Sequence, residues 1–330
     1  GIAMAADATL PQRVFPRPVF SDDERDQQAA QLNATEWAQP AIGASSLSQW
    51  ALLQRMGLKI DGLAGHSYGE LTALHVAGAF DRATLLGLAR KRGELMAAAA
   101  ESQSGAMSAI AADRDTVQKL LDGLGRDDVV IANVNSPRQV VISGDTAAVA
   151  SAEQACTEQG LSSTRLPVAT AFHSPIVANA LAPFAEYLKS TEFAPLQLPV
   201  YANVTAQPYV DSQDQQKDCL ARQLASPVLF MDQLQAMQAD GFSTFIEVGP
   251  ANVLTNLTAS CLKDKPHTAI ALDRKKQGGL HSLWQALAQL SVMGKTLDYA
   301  PLWEGFRAYP DPAERPQPKM SVPITGINYN

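Results

Sequence analysis

The pentapeptide Gly65-His66-Ser67-Tyr68-Gly69 constrains this chain more than any other feature. It stands between a short apolar run, residues 60–63, that reads as a strand, and a helical stretch, residues 70–80. In that context a G-x-S-x-G sequence predicts a sharp strand-to-helix turn with the serine hydroxyl raised above the end of a sheet. The two glycines are expected to let strand and helix approach without Cβ clashes. The Ser67 hydroxyl would sit at the positive end of the following helix, and the backbone N–H of Tyr68 would point to where an oxyanion forms. Without the flanking elements the same residues would be a plain glycine-rich turn. Ser67 is thus the candidate nucleophile.

A serine nucleophile needs a base within hydrogen-bond reach. The histidines are His66, His75, His173, His267 and His281. His173 is the candidate, because Ala171-Phe172-His173-Ser174-Pro175 reads as a loop that follows a strand and meets a helix. His66 adjoins Ser67, so its side chain should diverge from the hydroxyl. His75 should pack within its helix, and His267 and His281 fall in polar, late segments. The acids between Ser67 and His173 mostly read as solvated. A backbone carbonyl is therefore expected to orient the imidazole, with the turn Gly249-Pro250-Ala251-Asn252 as its candidate source.

A helix is predicted over 82–100, capped by Asp81. Within it Arg92 has Leu88, Ala89, Leu95 and Met96 as its helical neighbours, so it lies on an apolar, inward stripe. Arg90 and Glu94 read as a solvated pair. A buried guanidinium is costly unless an anion meets it, and its planar fork suits a carboxylate. The anion could be a core Asp or Glu, or the free carboxylate of a substrate; the side chain could also snorkel outward.

The rest of the chain supplies the frame. Residues 105–111, 113–124, 129–134, 139–143, 145–160 and 163–169 read as β-α-β-β-α-β, a ferredoxin-like split unit inserted into a larger domain. The expected organisation is a large α/β-hydrolase-like domain with a parallel sheet over 1–104 and 171–294, the inserted subdomain over 105–170, and a Pro-rich linker over 295–330. Residues 1–35 should run over the surface, and helices are expected over 37–56, 176–189 and 279–293, with strands at 200–203 and 242–248. The net charge of -7 argues against a nucleic-acid partner. No apolar run approaches the length that spans a bilayer, and no signal sequence opens the chain, so a cytoplasmic protein without membrane partners is expected. Gly1 is no natural start, which suggests a piece of something longer. Cys156, Cys219 and Cys261 form neither a disulfide framework nor a zinc pattern, and no metal is expected.

Gly65-His66-Ser67-Tyr68-Gly69-Glu70 resembles the GHSxGE motif of malonyl-CoA:acyl carrier protein transacylases and polyketide synthase acyltransferase domains. Lys91-Arg92-Gly93-Glu94-Leu95-Met96 is similar to that family's arginine motif, and Ala171-Phe172-His173-Ser174 to its histidine loop. The stretch from Asn135-Ser136-Pro137 to Ser143-Gly144, the run Glu247-Val248-Gly249-Pro250, and Gln39-Pro40-Ala41 also match. The resemblance implies ping-pong transfer. Ser67 takes malonyl from a coenzyme A thioester, His173 acts as base, and the phosphopantetheine thiol of an acyl carrier protein accepts the group. It implies that the domain holds no cofactor of its own, that Arg92 takes the malonyl carboxylate, that Gln39, Asn135 and His66 line the pocket, and that Phe172 favours malonyl over methylmalonyl. Neighbouring synthase domains would be further partners. Residues 20–25 and 35–43, with the tail 321–330, are most similar to iterative type I synthases of the enediyne or polyunsaturated-fatty-acid kind. The chain departs from the family twice: no Gly-Gln-Gly motif is present, leaving a second oxyanion donor unassigned, and Thr170 replaces the first His of HAFH. The alternative activity is a serine hydrolase or thioesterase that edits carrier-bound acyl groups; a non-catalytic docking domain is a third reading.

Overall fold

A computed structural model describes residues 3–5, 8–102, 104–168, 170–306 and 320. It is a mixed α/β fold in two lobes. In the smaller lobe, strands Gly105–Ile110, Val129–Ser136, Gln139–Asp145 and Ser163–Arg165 form an antiparallel sheet, with Gly105–Ile110 and Gln139–Asp145 in the middle. Helices Arg114–Leu124 and Thr146–Glu158 cover one face. The sequence sets these boundaries locally. Asp113 and Asp145 cap the two helices by accepting from Thr116 N–H (2.9 Å) and Ala147 N–H (2.8 Å). Gly125, at φ 61°, ends the first helix in a left-handed conformation that glycine adopts without Cβ strain. Val117, Leu120, Val149 and Ala152 bury against Ile110, Val140 and Ile142. The alternate strand positions, Met107, Ala132 and Val141, build a second apolar face on which Phe172 packs.

The larger lobe is mainly helical. Its long helices Thr35–Arg55 and Arg82–Ser102 pack against each other, and Asp81 caps the second through Thr84 N–H (2.8 Å). Leu71, Leu74, Leu85, Leu88, Phe184 and Leu188 form the core around the helix Gly69–Val76. Among the described residues two pairs of strands run parallel, Leu63–Ala64 with Val200–Tyr201 and Thr244–Glu247 with Thr268–Ala271. No strand pairing joins the two pairs among the described residues, and a cavity lined in part by residues 58–64, 242 and 244–248 lies between them. The expected single parallel sheet is thus two short pairs. The expected strand at 60–63 begins only at Leu63, because the chain bends at Asp61-Gly62.

Other differences follow from polarity and length. Residues 22–33, expected as a surface run, are an exposed helix, Asp22–Asn33, capped by Ser21. Helices Gln213–Arg222 and Phe230–Ala239 and the strand Thr268–Ala271 were not anticipated. The expected strand 163–169 ends at Arg165, and its last residue lies outside the described residues, as does most of the Pro-rich segment, 307–319 and 321–330. The lobes are stitched by backbone: Val134 N–H donates to Val228 O (2.9 Å), and Val228 N–H donates to Ala132 O (2.8 Å). That junction sets the smaller lobe beside the turn carrying Ser67.

Candidate active site

Ser67 sits between the strand Leu63–Ala64 and the helix Gly69–Val76 with φ 50°, a left-handed conformation strained for any residue with a Cβ. Two side-chain amides clamp its backbone. Asn203 Oδ1 accepts the Ser67 N–H at 2.7 Å, and Gln223 Nε2 donates to the Ser67 carbonyl at 2.7 Å. A Cβ on Gly65 would stand 2.0 Å from the Gly69 carbonyl carbon, so only glycine fits there. Gly69 is different. A Cβ there would meet nothing within 4 Å, so the close approach depends on one glycine of the pair, with Gly69 supplying the backbone approached. The Tyr68 N–H has no acceptor among the described residues and lies at the positive helix end.

His173 also has a positive φ, 56°, and its Nε2 lies 2.7 Å from Ser67 Oγ. Its Nδ1 faces two carbonyls, Gln223 O at 2.9 Å and Ser226 O at 3.1 Å. Carbonyls only accept, so Nδ1 carries the proton and Nε2 offers its lone pair to the serine hydroxyl. Gln223 is the C-cap of the helix Gln213–Arg222, where carbonyls have no intrahelical partner and the helix dipole is negative, and Ser226 lies just beyond the turn that follows. The expected donor turn, 249–252, is elsewhere engaged: Gly249 N–H donates to Gln49 Oε1 (2.6 Å) and Gln49 Nε2 donates to Gly249 O (3.0 Å). A backbone carbonyl does hold the imidazole, but from 223 and 226. Burial, then the nearby Arg92 charge, pulls His173 down to about 3, so it stands neutral at neutral pH.

Arg92 faces inward and is 1% exposed, with Leu88, Ala89 and Met96 buried beside it. Its guanidinium donates to Gln39 Oε1 (2.8 Å), Gln223 Oε1 (3.2 Å) and Ser67 Oγ (3.2 Å). No described carboxylate makes an ion pair with it, whereas Arg90 and Glu94 pair at the surface at 2.6 Å. Burial lowers the guanidinium to about 10, against the charges of Glu70 and Tyr68, which oppose that shift. It remains a cation whose three contacts are all neutral acceptors.

The other expected residues divide. Gln39 is buried and occupied in holding Arg92, with its Nε2 3.7 Å from Met96 Sδ. His66 does diverge from Ser67: its Nε2 lies 2.8 Å from Asn135 Oδ1 on the smaller lobe, and its ring meets Phe230 edge-on. Burial pushes its pKa down. Asn135 and His66 therefore bridge the lobes and do not contact the serine hydroxyl. Phe172 is half-buried against the smaller lobe's apolar face, one residue before His173. His75 is held by Phe80 O (2.7 Å).

Asn203, Gln223, Tyr209 and Glu70 were missed. Glu70 stood inside the motif, as the one acid of the helix Gly69–Val76, which was a usable signal. It is fully buried and accepts from Asn203 N–H (3.0 Å), Gln223 Nε2 (3.3 Å) and the Tyr209 hydroxyl. Asn203 stood at the end of an expected strand and Gln223 in a stretch without a pattern, and neither carried a local sign of contact with Ser67. Among the described residues no group of acidic, His or Cys side chains could hold a metal, no disulfide forms, and no helix is long and apolar enough to cross a membrane.

Comparison with known proteins gives these side chains a context. Phenolphthiocerol synthesis polyketide synthase type I Pks15/1 of Mycobacterium marinum is 35% identical over 282 residues, 85% of this chain and 13% of that protein. The chain therefore spans only a small part of that relative's length. The polyketide biosynthesis malonyl CoA-acyl carrier protein transacylase PksC of Bacillus subtilis is 39% identical over 237 residues, 71% of this chain and 81% of that one. The crystal structure of the acyltransferase domain from the second module of the salinomycin polyketide synthase superposes with a TM-score of 0.78 at 30% identity, covering 93% of this chain and 70% of that chain. The sequence pattern described as "Acyl transferase domain" matches residues 19–296, a span that holds the Ser67 turn, the His173 loop and Arg92, and the chain belongs to that family.

Proposed function

We propose that this chain moves a malonyl group from coenzyme A to the phosphopantetheine thiol of an acyl carrier protein, in polyketide or fatty acid biosynthesis, through a Ser67 acyl-enzyme. The observation that carries this reading is Arg92: a buried cation 3.2 Å from the candidate nucleophile, held by neutral acceptors and by no carboxylate among the described residues. A thioester carbonyl presented to Ser67 would bring a carboxylate two carbons away within reach of that guanidinium.

In the first half-reaction His173 Nε2 takes the Ser67 proton as Oγ attacks the thioester carbonyl. The oxyanion forms toward the Tyr68 N–H. The carbon–sulfur bond breaks, His173 returns the proton to the leaving sulfur, and coenzyme A departs. In the second half-reaction the phosphopantetheine thiol gives its proton to His173 and attacks the malonyl ester. Ser67 leaves and regains the proton. The Ser67–His173 pair thus works as a dyad, oriented by the carbonyls of Gln223 and Ser226 in place of a carboxylate.

Several finer readings belong with this proposal. The substrate pocket includes Arg92 and Phe172, with Gln39 holding the guanidinium and His66 and Asn135 closing the side toward the smaller lobe. The larger lobe, 1–104 and 171–294, is of the α/β-hydrolase-like kind, 105–170 is ferredoxin-like, and 295–330 is a linker to neighbouring synthase domains. The resemblance of residues 20–25 and 35–43 supports an iterative type I synthase of the enediyne or polyunsaturated-fatty-acid kind, working in the cytoplasm. The name of the Bacillus relative, a malonyl CoA-acyl carrier protein transacylase, supports the donor and acceptor.

Intact-mass analysis with a panel of acyl-CoA thioesters tests the proposal. The expected result is a gain of one malonyl group, mapped to Ser67 and discharged by a holo carrier protein. A chain that gains no acyl group, or that releases it to water as fast in the carrier's absence, would overturn it.

A further inference from the structure

Glu70 takes no part in the steps above, yet it is a carboxylate with no exposed surface. Its hydrogen-bond donors, the Asn203 amide, Gln223 Nε2 and the Tyr209 hydroxyl, are all neutral. The titratable groups acting on it come from three sides. Arg92 lies on the helix Arg82–Ser102, Cys219 on the helix Gln213–Arg222, and Tyr209 on the loop after Val200–Tyr201; only Arg92 is cationic. Arg92 and Glu70 are joined by a single amide. Gln223 Oε1 accepts from Arg92 at 3.2 Å, and Gln223 Nε2 donates to Glu70 Oε2 at 3.3 Å. The amide dipole is aligned with its oxygen on the cation and its nitrogen on the anion. Away from water, charges across one side chain still interact strongly. Glu70 therefore offsets the buried guanidinium without covering the edge that meets Ser67.

A donor with a free carboxylate would bring a second anion to one buried cation. Resting on the reading that Arg92 takes that carboxylate, we propose that Glu70 is the internal counter-charge of Arg92 and takes up a proton from solvent when the donor's carboxylate reaches the guanidinium. The balance closes: one cation and one anion before binding, one cation and the donor's anion after it. The protonated Glu70 Oε1 donates to the Tyr209 hydroxyl, which turns its own hydrogen away from the carboxyl. Oε2 keeps its two donors. Burial holds the Glu70 carboxyl up at about 7, so the proton is available near neutrality.

The test compares the half-saturating concentrations of malonyl-CoA and acetyl-CoA for Ser67 loading. It uses the full chain from about pH 6 to about pH 8. Titration of coenzyme A and of His173 affects both donors and cancels in their ratio. The malonyl value should rise relative to the acetyl value as pH climbs past neutrality, by at most about tenfold per pH unit, the limit for one linked proton. Glu70→Gln keeps an acceptor for Asn203 and Gln223 but no charge; it should lower the malonyl value selectively and flatten the ratio. A flat ratio in the unaltered chain overturns the proposal, even if the variant does not fold. So does a variant whose two values move together or whose malonyl value rises. Loading of malonyl with a flat ratio removes only the role of Glu70; no malonyl loading removes the functional reading as well.

Discussion

Ser67 and His173 meet at 2.7 Å, and both hold a left-handed backbone, at φ 50° and 56°, that side chains with a Cβ adopt at a cost of about 1–3 kcal/mol each. The surroundings over-determine both. Asn203 and Gln223 hold the Ser67 peptide on either side. Ser174, next to the histidine, closes the loop by donating to Ala171 O (2.7 Å) and accepting from Ile176 N–H (3.3 Å). The strain points two side chains of the larger lobe at each other from separate loops.

Loss of either partner should therefore act on loading before anything else. Ser67→Ala is expected to abolish acyl-enzyme formation. His173→Ala should slow single-turnover loading by about 10²–10⁴-fold, the range for a positioned general base. Rapid-quench mass measurement checks both, and a His173→Ala chain loading at the unaltered rate would remove the imidazole from the chemistry.

Arg92→Ala should separate donors. Malonyl loading is expected to fall by about 10²-fold or more, because the donor carboxylate is left without its cation in a dry pocket, while acetyl loading is spared or improved. Competition between the two thioesters at equal concentration gives the ratio directly. Equal losses would mean that the side chain only maintains structure through Gln39 and Gln223.

Much of this was readable before the fold was known. The turn could be read because Gly65 and Ser67 obey a local steric rule, and Arg92 because helical spacing alone fixes which neighbours it has. The smaller lobe could be read because its caps and its Pro137-Arg138 turn are written into adjacent residues. The amides of Asn203 and Gln223 could not. Each acts on a residue more than a hundred positions away, and nothing in its own neighbourhood records that. The misplacement of the carbonyl at 249–252 has the same origin: any chain end of a helix offers free carbonyls, and only packing selects which one meets His173.

The two motif glycines should behave oppositely. Gly65→Ala drives a methyl to within 2.0 Å of the Gly69 backbone, which cannot give way, and is expected to cost roughly 3 kcal/mol or more of stability. Gly69→Ala meets open space and starts a helix, so its cost should stay within about 0.5 kcal/mol. Urea unfolding of both variants distinguishes them; similar losses would contradict the geometry of the turn.

Stability should also carry a signature of the buried base. His173 is depressed from 6.5 to about 3, so its contribution is complete above pH 6.5 and is lost as pH falls toward 3. Glu70 is raised from 4.5 to about 7, so its contribution is complete below pH 4.5 and is lost as pH rises toward 7. Between 4.5 and 6.5 the two slopes oppose each other. The difference in unfolding free energy between the unaltered chain and His173→Asn cancels the Glu70 part. It should shrink by about 1.4 kcal/mol per pH unit as pH drops below the free-histidine range. A difference independent of pH would show that the imidazole is not buried in its neutral form.

The two main-chain oxygens under the imidazole have a chemical corollary. They fix the ring's tilt and tautomer but hold no full negative charge, so the imidazolium is a short-lived, strongly acidic species. Such a group suits sulfur traffic. A thiol with an ordinary pKa near 8.5 departs as an anion with little protonic help and arrives ready to lose its hydrogen. An amine would demand far more from the same ring. On the proposed reaction, the cradle would match the pair to reversible passage between two thiols of similar acidity, with an oxygen ester as the halfway stop.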